Sequence, residues 1–228
     1  MKSLQIEIFN GTEQASPFQE ENRYAFKVIR QGVIDAVQTV SKLAVGKAED
    51  YAASLGKDHI FLYETTKDYY IEEPIKNSLS GETLDMSLLM CKLPYPPSEK
   101  DLITKYFIVT SNEVKKQRSN HARHYGNEIS IVSAYELGRD FENWKWKKDE
   151  IFNRGYVLGA HMVGHLMLSE DAKNAGHCKV SSCCMHPHMK GITDINKIIE
   201  ARIKEERKGL FCRDSLKQFR EYLESLKK

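Results

Sequence analysis

Apolar and polar positions alternate at the start of the chain. Leu4, Ile6 and Ile8 are separated by Gln5 and Glu7, the period-two signature of a half-buried strand. Residues 11–21 are polar and contain Pro17, which marks a loop. The period then changes: Phe26, Ile29, Val33, Val37, Val40 and Ala44 recur every three or four positions, so residues 22–44 predict an amphipathic helix capped by Asn22. A shorter helix is predicted over 47–55, ended by Gly56, and a strand over 59–63, HIFLY. Tyr69, Tyr70 and Ile71 predict another strand before Pro74. Residues 81–92 predict a helix with Cys91 buried on it, closed by LPYPP at 93–97, where proline cannot donate to the helix. YFIVT at 106–110 is a continuous apolar run, as expected of a central strand, and EISIV at 128–132 is the next strand. The basic stretch between them, with His121 and His124, reads as a solvated loop. Helices follow over 147–168, over 190–207 with Ile192, Ile195, Ile199 and Ile203 turned inward, and over 213–226.

This order predicts an α+β (mixed α/β) chain, a twisted mixed sheet with helices packed on it, followed by a C-terminal subdomain. The 228 residues are 41% apolar, enough for a core, and the net charge of +2 gives no strong pull toward nucleic acid or a membrane surface. No apolar run approaches the ~20 residues of a membrane helix. The first residues read as a strand rather than a leader peptide, so an intracellular (cytoplasmic) monomer is expected. The cysteines then change the picture. Five is an odd number, and four of them follow residue 177, close to histidines. That clustering favours metal ligation over a disulfide framework.

The densest chemistry lies in Tyr156–Met185, which holds three of the eight histidines and three of the five cysteines. His161 and His165 are four apart on a predicted helix, one turn apart on one face, so both imidazoles can reach one ion. Downstream come His177-Cys178, then Cys183-Cys184-Met185, and later Cys212. The alternatives for the isolated elements are bland: a pair of helix histidines, and a core methionine filling space.

Taken together, His161, His165, His177, Cys178, Cys183, Met185 and Cys212 resemble the archaemetzincin family of zinc metallopeptidases. That family shows HExxHxxGxxH, a cysteine directly after the third histidine, another five residues on, a methionine two further, and a later CxxC. The resemblance implies a metzincin-like fold, a peptide or protein substrate or partner, and two zinc ions per chain. The first ion would be held by His161, His165 and His177, above a Met-turn residue, Met185. The second would be held by Cys178, Cys183 and Cys212. It also implies residues 1–168 as a sheet-and-helix subdomain ending in the zinc-binding helix, and 169–228 as a small zinc-stabilised subdomain.

Four departures bear on mechanism. The residue after the first histidine is Met162 where the family has its general-base glutamate, and the turn glycine is replaced by Leu168. Six extra residues, SEDAKN, precede His177, about 1.7 helical turns; they must leave the helix as a loop if His177 is to return, with Gly176 supplying the positive φ. Ser215 stands where the last cysteine would be. The fourth ligand of the second zinc is then expected from His186, His188 or Cys184. A thioether takes no proton, so impaired or absent hydrolysis is expected. The alternatives are an active peptidase using Glu170 or Asp171, and a non-catalytic zinc-stabilised protein-binding module.

Overall fold

A computed structural model describes residues 3–11, 19–45, 61–65, 77–80, 83–85, 89, 92, 102–111, 113–114, 122–125, 128–134, 137–138, 147–168, 176–187 and 191–226. The elements are β1 (Ser3–Gly11), α1 (Gln19–Val45), β2 (Phe61–Thr65), β3 (Leu79–Ser80), β4 (Thr83–Leu84), β5 (Leu102–Thr110), β6 (Glu113–Val114), β7 (Ala122–Tyr125), β8 (Ile129–Ser133), α2 (Lys148–Leu166), α3 (Ile192–Lys204) and α4 (Arg213–Ser225). The main sheet has the order β2-β1-β5-β8-β7. Its first four strands are parallel and β7 is antiparallel to β8. The fold is mixed α/β.

The alternation at the N-terminus does what it predicts: Leu4, Ile6 and Ile8 are buried on one face of β1. Parallel register carries that face across the sheet, from Ile6 to Lys105 and from Ile8 to Phe107, then from Phe107 to Ser130 and from Ser130 to His124 at the edge. Helices α1 and α2 pack with this face into one core, which runs on through Met185, Phe219 and Leu223. The opposite face buries Phe9, Ile108 and Ile131.

Several expectations change. The predicted helix over 81–92 begins as a hairpin: Leu79 pairs with Leu84 and Ser80 with Thr83, and β4 is extended by β6. Among the described residues, helical bonding first appears at Asp85, whose carbonyl accepts from the Leu89 amide. The two-residue strands are too short to show an alternating pattern. The basic segment is not wholly a solvated loop either, because Ala122–Tyr125 closes the sheet as β7. In α3 the buried stripe is centred on Ile195 and Ile198, whereas Ile203 is 69% exposed; it lies roughly 110° around the helix from that stripe. The predicted helix at 47–55, the strand at 69–71, Cys91 and His121 lie outside the described residues. Among the described residues, no helix is long and apolar enough to cross a membrane.

Helix α2 is gripped closely. A Cβ on Gly32 of α1 would sit 2.1 Å from the Tyr156 carbonyl oxygen, and one on Gly159 of α2 would sit 2.2 Å from that of Ile29. The two backbones therefore touch where both side chains are missing, an approach no other residue permits. Two buried polar side chains from the sheet then bond to α2 carbonyls. Ser130 Oγ donates to Met162 O at 2.8 Å. Lys105 Nζ, fully buried, donates to Leu166 O at 2.6 Å and lies 4.6 Å from the centre of the Tyr222 ring. A buried ammonium is tolerable only with such partners, and here it sits against the negative end of the helix. Arg154 ties the same helix to Leu137 O and to Asn196 of α3.

Gly159→Ala should lower unfolding stability by about 3 kcal/mol or more, since the clash is with backbone. Gly138→Ala, whose new methyl would meet Ile151 at an ordinary 3.6 Å, should change it little. Urea denaturation of both variants checks the contrast.

Candidate metal centre

His161 and His165 project from the last two turns of α2 and are almost fully buried. Their Nε2 atoms lie 2.9 Å apart. His177 returns to the same point beyond residues 169–175, which lie outside the described residues, as do Glu170 and Asp171. Gly176 takes a positive φ of 78° immediately before it, the left-handed conformation that favours glycine. A Cβ there would also strike Leu168 at 1.9 Å. One ligand nitrogen from each of the three rings falls within 4.8 Å of the others. Two nitrogens on one tetrahedral zinc lie about 3.3 Å apart; the His161–His165 pair, at 2.9 Å, needs only a small shift to reach that separation, and His177 completes a three-nitrogen group around the same point.

The protonation states suit the same purpose. His161 Nδ1 lies 2.5 Å from the Cys184 carbonyl oxygen, which can only accept. Nδ1 therefore carries the proton and Nε2 presents its lone pair. Burial, aided by the neighbouring imidazoles of His124 and His186, holds His177 down to about 4, so its ring is neutral at physiological pH. Met185 packs under the helix: a Cβ on Gly164 would fall 2.4 Å from its sulfur. His124, from β7, stacks on His165 with centroids 3.9 Å apart. Sequence reasoning assigned it no role. Its signal was a histidine in register with Ser130 and Phe107, on the sheet face that α2 covers. Met162 is buried in the core, 1% exposed.

A second group lies alongside. The sulfurs of Cys178, Cys183 and Cys212 fall within 4.8 Å of one another. The first two come from the turn at 178–186, which is closed by Cys178 N–H to Met185 O, and Cys212 is the N-cap of α4. Cys183 is the focus of the group. The Cys178 thiol donates toward it, Ser215 Oγ lies 3.5 Å away, and the Cys212 amide donates to its sulfur at 3.2 Å. These donors hold Cys183 well below the ordinary thiol range, while the same Cys178–Cys183 hydrogen bond and burial push Cys178 up. A thiolate surrounded by donors in this way is ready for a cation.

The three expected sources of a fourth ligand fall differently. Cys184 faces away from the group: its sulfur accepts from Arg202 Nη1 at 3.6 Å, and burial pushes its thiol up to about 12. Within this turn the adjacent sulfurs of Cys183 and Cys184 engage different partners. The His186 ring is half-buried, with Nδ1 3.2 Å from Cys178 O, and is not part of the three-sulfur group. His188 lies outside the described residues. Arg202 also donates to Ser182 O, Gly209 O and Leu210 O. The end of α3 thus clamps the cysteine turn to the segment leading into α4.

No family model matches this sequence, and no curated protein does. Among solved structures, the mixed α/β fold is similar to that of two proteins. A zinc-dependent peptidase from Methanocorpusculum labreanum (strain Z) aligns over 94% of this chain and 99% of its own, at 16% identity and a TM-score of 0.52. An archaemetzincin from Methanopyrus kandleri aligns over 98% of this chain and 96% of its own, at 16% identity and a TM-score of 0.48.

Gly176→Ala should weaken metal binding at the histidines by at least about tenfold, because the turn can no longer present His177. Isothermal titration with zinc, compared with the parent protein, reads the effect; unchanged affinity at that site would mean His177 is dispensable there.

Proposed function

We propose that this chain is a zinc metallopeptidase homologue with two metal sites and weakened or lost hydrolytic chemistry. The observation that supports the reading most is the convergence of three buried or half-buried imidazoles, His161, His165 and His177, beside an independent trio of thiols. The first group would hold a zinc ion on three nitrogens and leave a coordination position open; the second, Cys178, Cys183 and Cys212, would hold a structural one. Zinc at the first group would polarise a peptide carbonyl and acidify a bound water. The likeness in fold to a zinc-dependent peptidase supports a peptide or protein as the molecule acted on or bound.

The chain's own residues limit the reaction. His161 is oriented by its proton to Cys184 O, and His177 is held neutral by burial. Met162 follows the first histidine, at the position where the resemblance expects a general base, and its thioether cannot take a proton from water. Loss of such a base costs ~10²–10⁴ in rate, equivalent to about 3–5.5 kcal/mol of barrier. No carboxylate joins either ligand group among the described residues. The same observation favours a second reading, in which the cleft binds a peptide or protein partner without cleaving it.

Metal analysis should return two zinc ions per chain for the parent protein, one for His161→Ala/His165→Ala, and one for Cys183→Ser. Against a general peptide library, Met162→Glu should raise turnover by ~10²–10⁴-fold. A flat response with both metals bound would rule out a disarmed peptidase and leave the binding reading.

A further inference from the structure

The thiol group has three sulfurs, and structural zinc takes four donors. Ser215 sits at N3 of α4, one turn after Cys212, and is 1% exposed. Its hydroxyl oxygen lies 3.5 Å from Cys183 Sγ and 3.4 Å from Cys212 Sγ. On a tetrahedral zinc with bonds of about 2.3 Å to sulfur and about 2.0 Å to oxygen, a sulfur and an oxygen ligand stand about 3.5 Å apart. The hydroxyl therefore already stands at the separation expected of a fourth ligand from two of the three sulfurs. The described competitors are engaged elsewhere: Cys184 with Arg202, and the His186 ring beside the Cys178 carbonyl.

We propose that Ser215 Oγ is the fourth donor of the thiol site, giving a three-sulfur, one-oxygen metal centre. The inference rests on the reading of Cys178, Cys183 and Cys212 as a zinc site. It has a chemical consequence of its own. A neutral hydroxyl brings no charge, so the complex carries one negative charge less than a four-thiolate site. The oxygen is also a harder and weaker partner for zinc than a thiolate. The metal is then held less firmly than by four sulfurs, and its oxygen corner is the point at which an incoming thiolate can displace a ligand.

The test uses the full chain loaded with cobalt(II), whose sulfur-to-metal absorption counts thiolates at this site regardless of the histidines. The parent protein should show the intensity of three thiolates. Ser215→Cys should raise it by about a third and tighten zinc binding at least about tenfold. Ser215→Ala should weaken zinc about tenfold without changing the sulfur band, and Ser215→Thr should restore affinity. His186→Ala and His188→Ala should leave both readouts alone. An unchanged band in folded Ser215→Cys, or a tenfold loss of affinity in either histidine variant but not in Ser215→Ala, would overturn the assignment. A parent protein with no sulfur-to-cobalt band at all would instead remove the thiol metal site itself.

Discussion

The angular setting of α2 about its own axis is the constraint on which the rest depends. His161 and His165 share a face because they are one turn apart, but a shared face is useful only if it points at His177. A rotation of 20° would move an imidazole at the end of its side chain by about 2 Å, given a helix radius near 5 Å with side chains. Two kinds of contact prevent that rotation. Gly32 and Gly159 bring the α1 and α2 backbones into contact. Ser130 and Lys105 then bond to carbonyls of Met162 and Leu166, the residues that directly follow His161 and His165.

Bonding those carbonyls from the sheet puts polar side chains in a place the hydrophobic pattern reserves for apolar ones. Lys105, Ser130 and His124 occupy three neighbouring strands on the helix-covered face, and each reaches the last turns of α2. An ammonium and a hydroxyl buried against helix carbonyls add less to stability than packed methyl groups would, once desolvation is counted. What they add is direction, because a hydrogen bond fixes an orientation and a methyl contact does not.

The legible parts of this molecule were those written in local spacing. β1, α1 and the three later helices follow from period-two and period-3.6 patterns, and β5 and β8 from short apolar runs, with bounds a few residues from those expected. The grouping of His161 with His165 follows from helix geometry alone, whereas Cys184 stays a candidate ligand in sequence until the fold sets its sulfur against Arg202. The parts that stayed hidden depend on distant residues. β7 reads as a basic loop because an edge strand of four residues needs only a partner, not an apolar pattern. The β3–β4 hairpin is invisible for the same reason. Ser215 looks like a lost ligand in sequence; only the fold places its hydroxyl beside two sulfurs. His124 gained a role only once the register put it opposite Ser130.

One tripeptide joins the two groups. The sulfur of Cys183 belongs to the thiol trio, the carbonyl of Cys184 receives the His161 proton, and the Met185 sulfur lies under Gly164 of α2. Three consecutive residues thus serve both centres with three different kinds of atom. The chain has no slack between them with which to adjust one centre alone. A backbone shift there moves the hydrogen-bond partner of the His161 ring and the Cys183 sulfur together, so the imidazole group and the thiol group are mechanically linked.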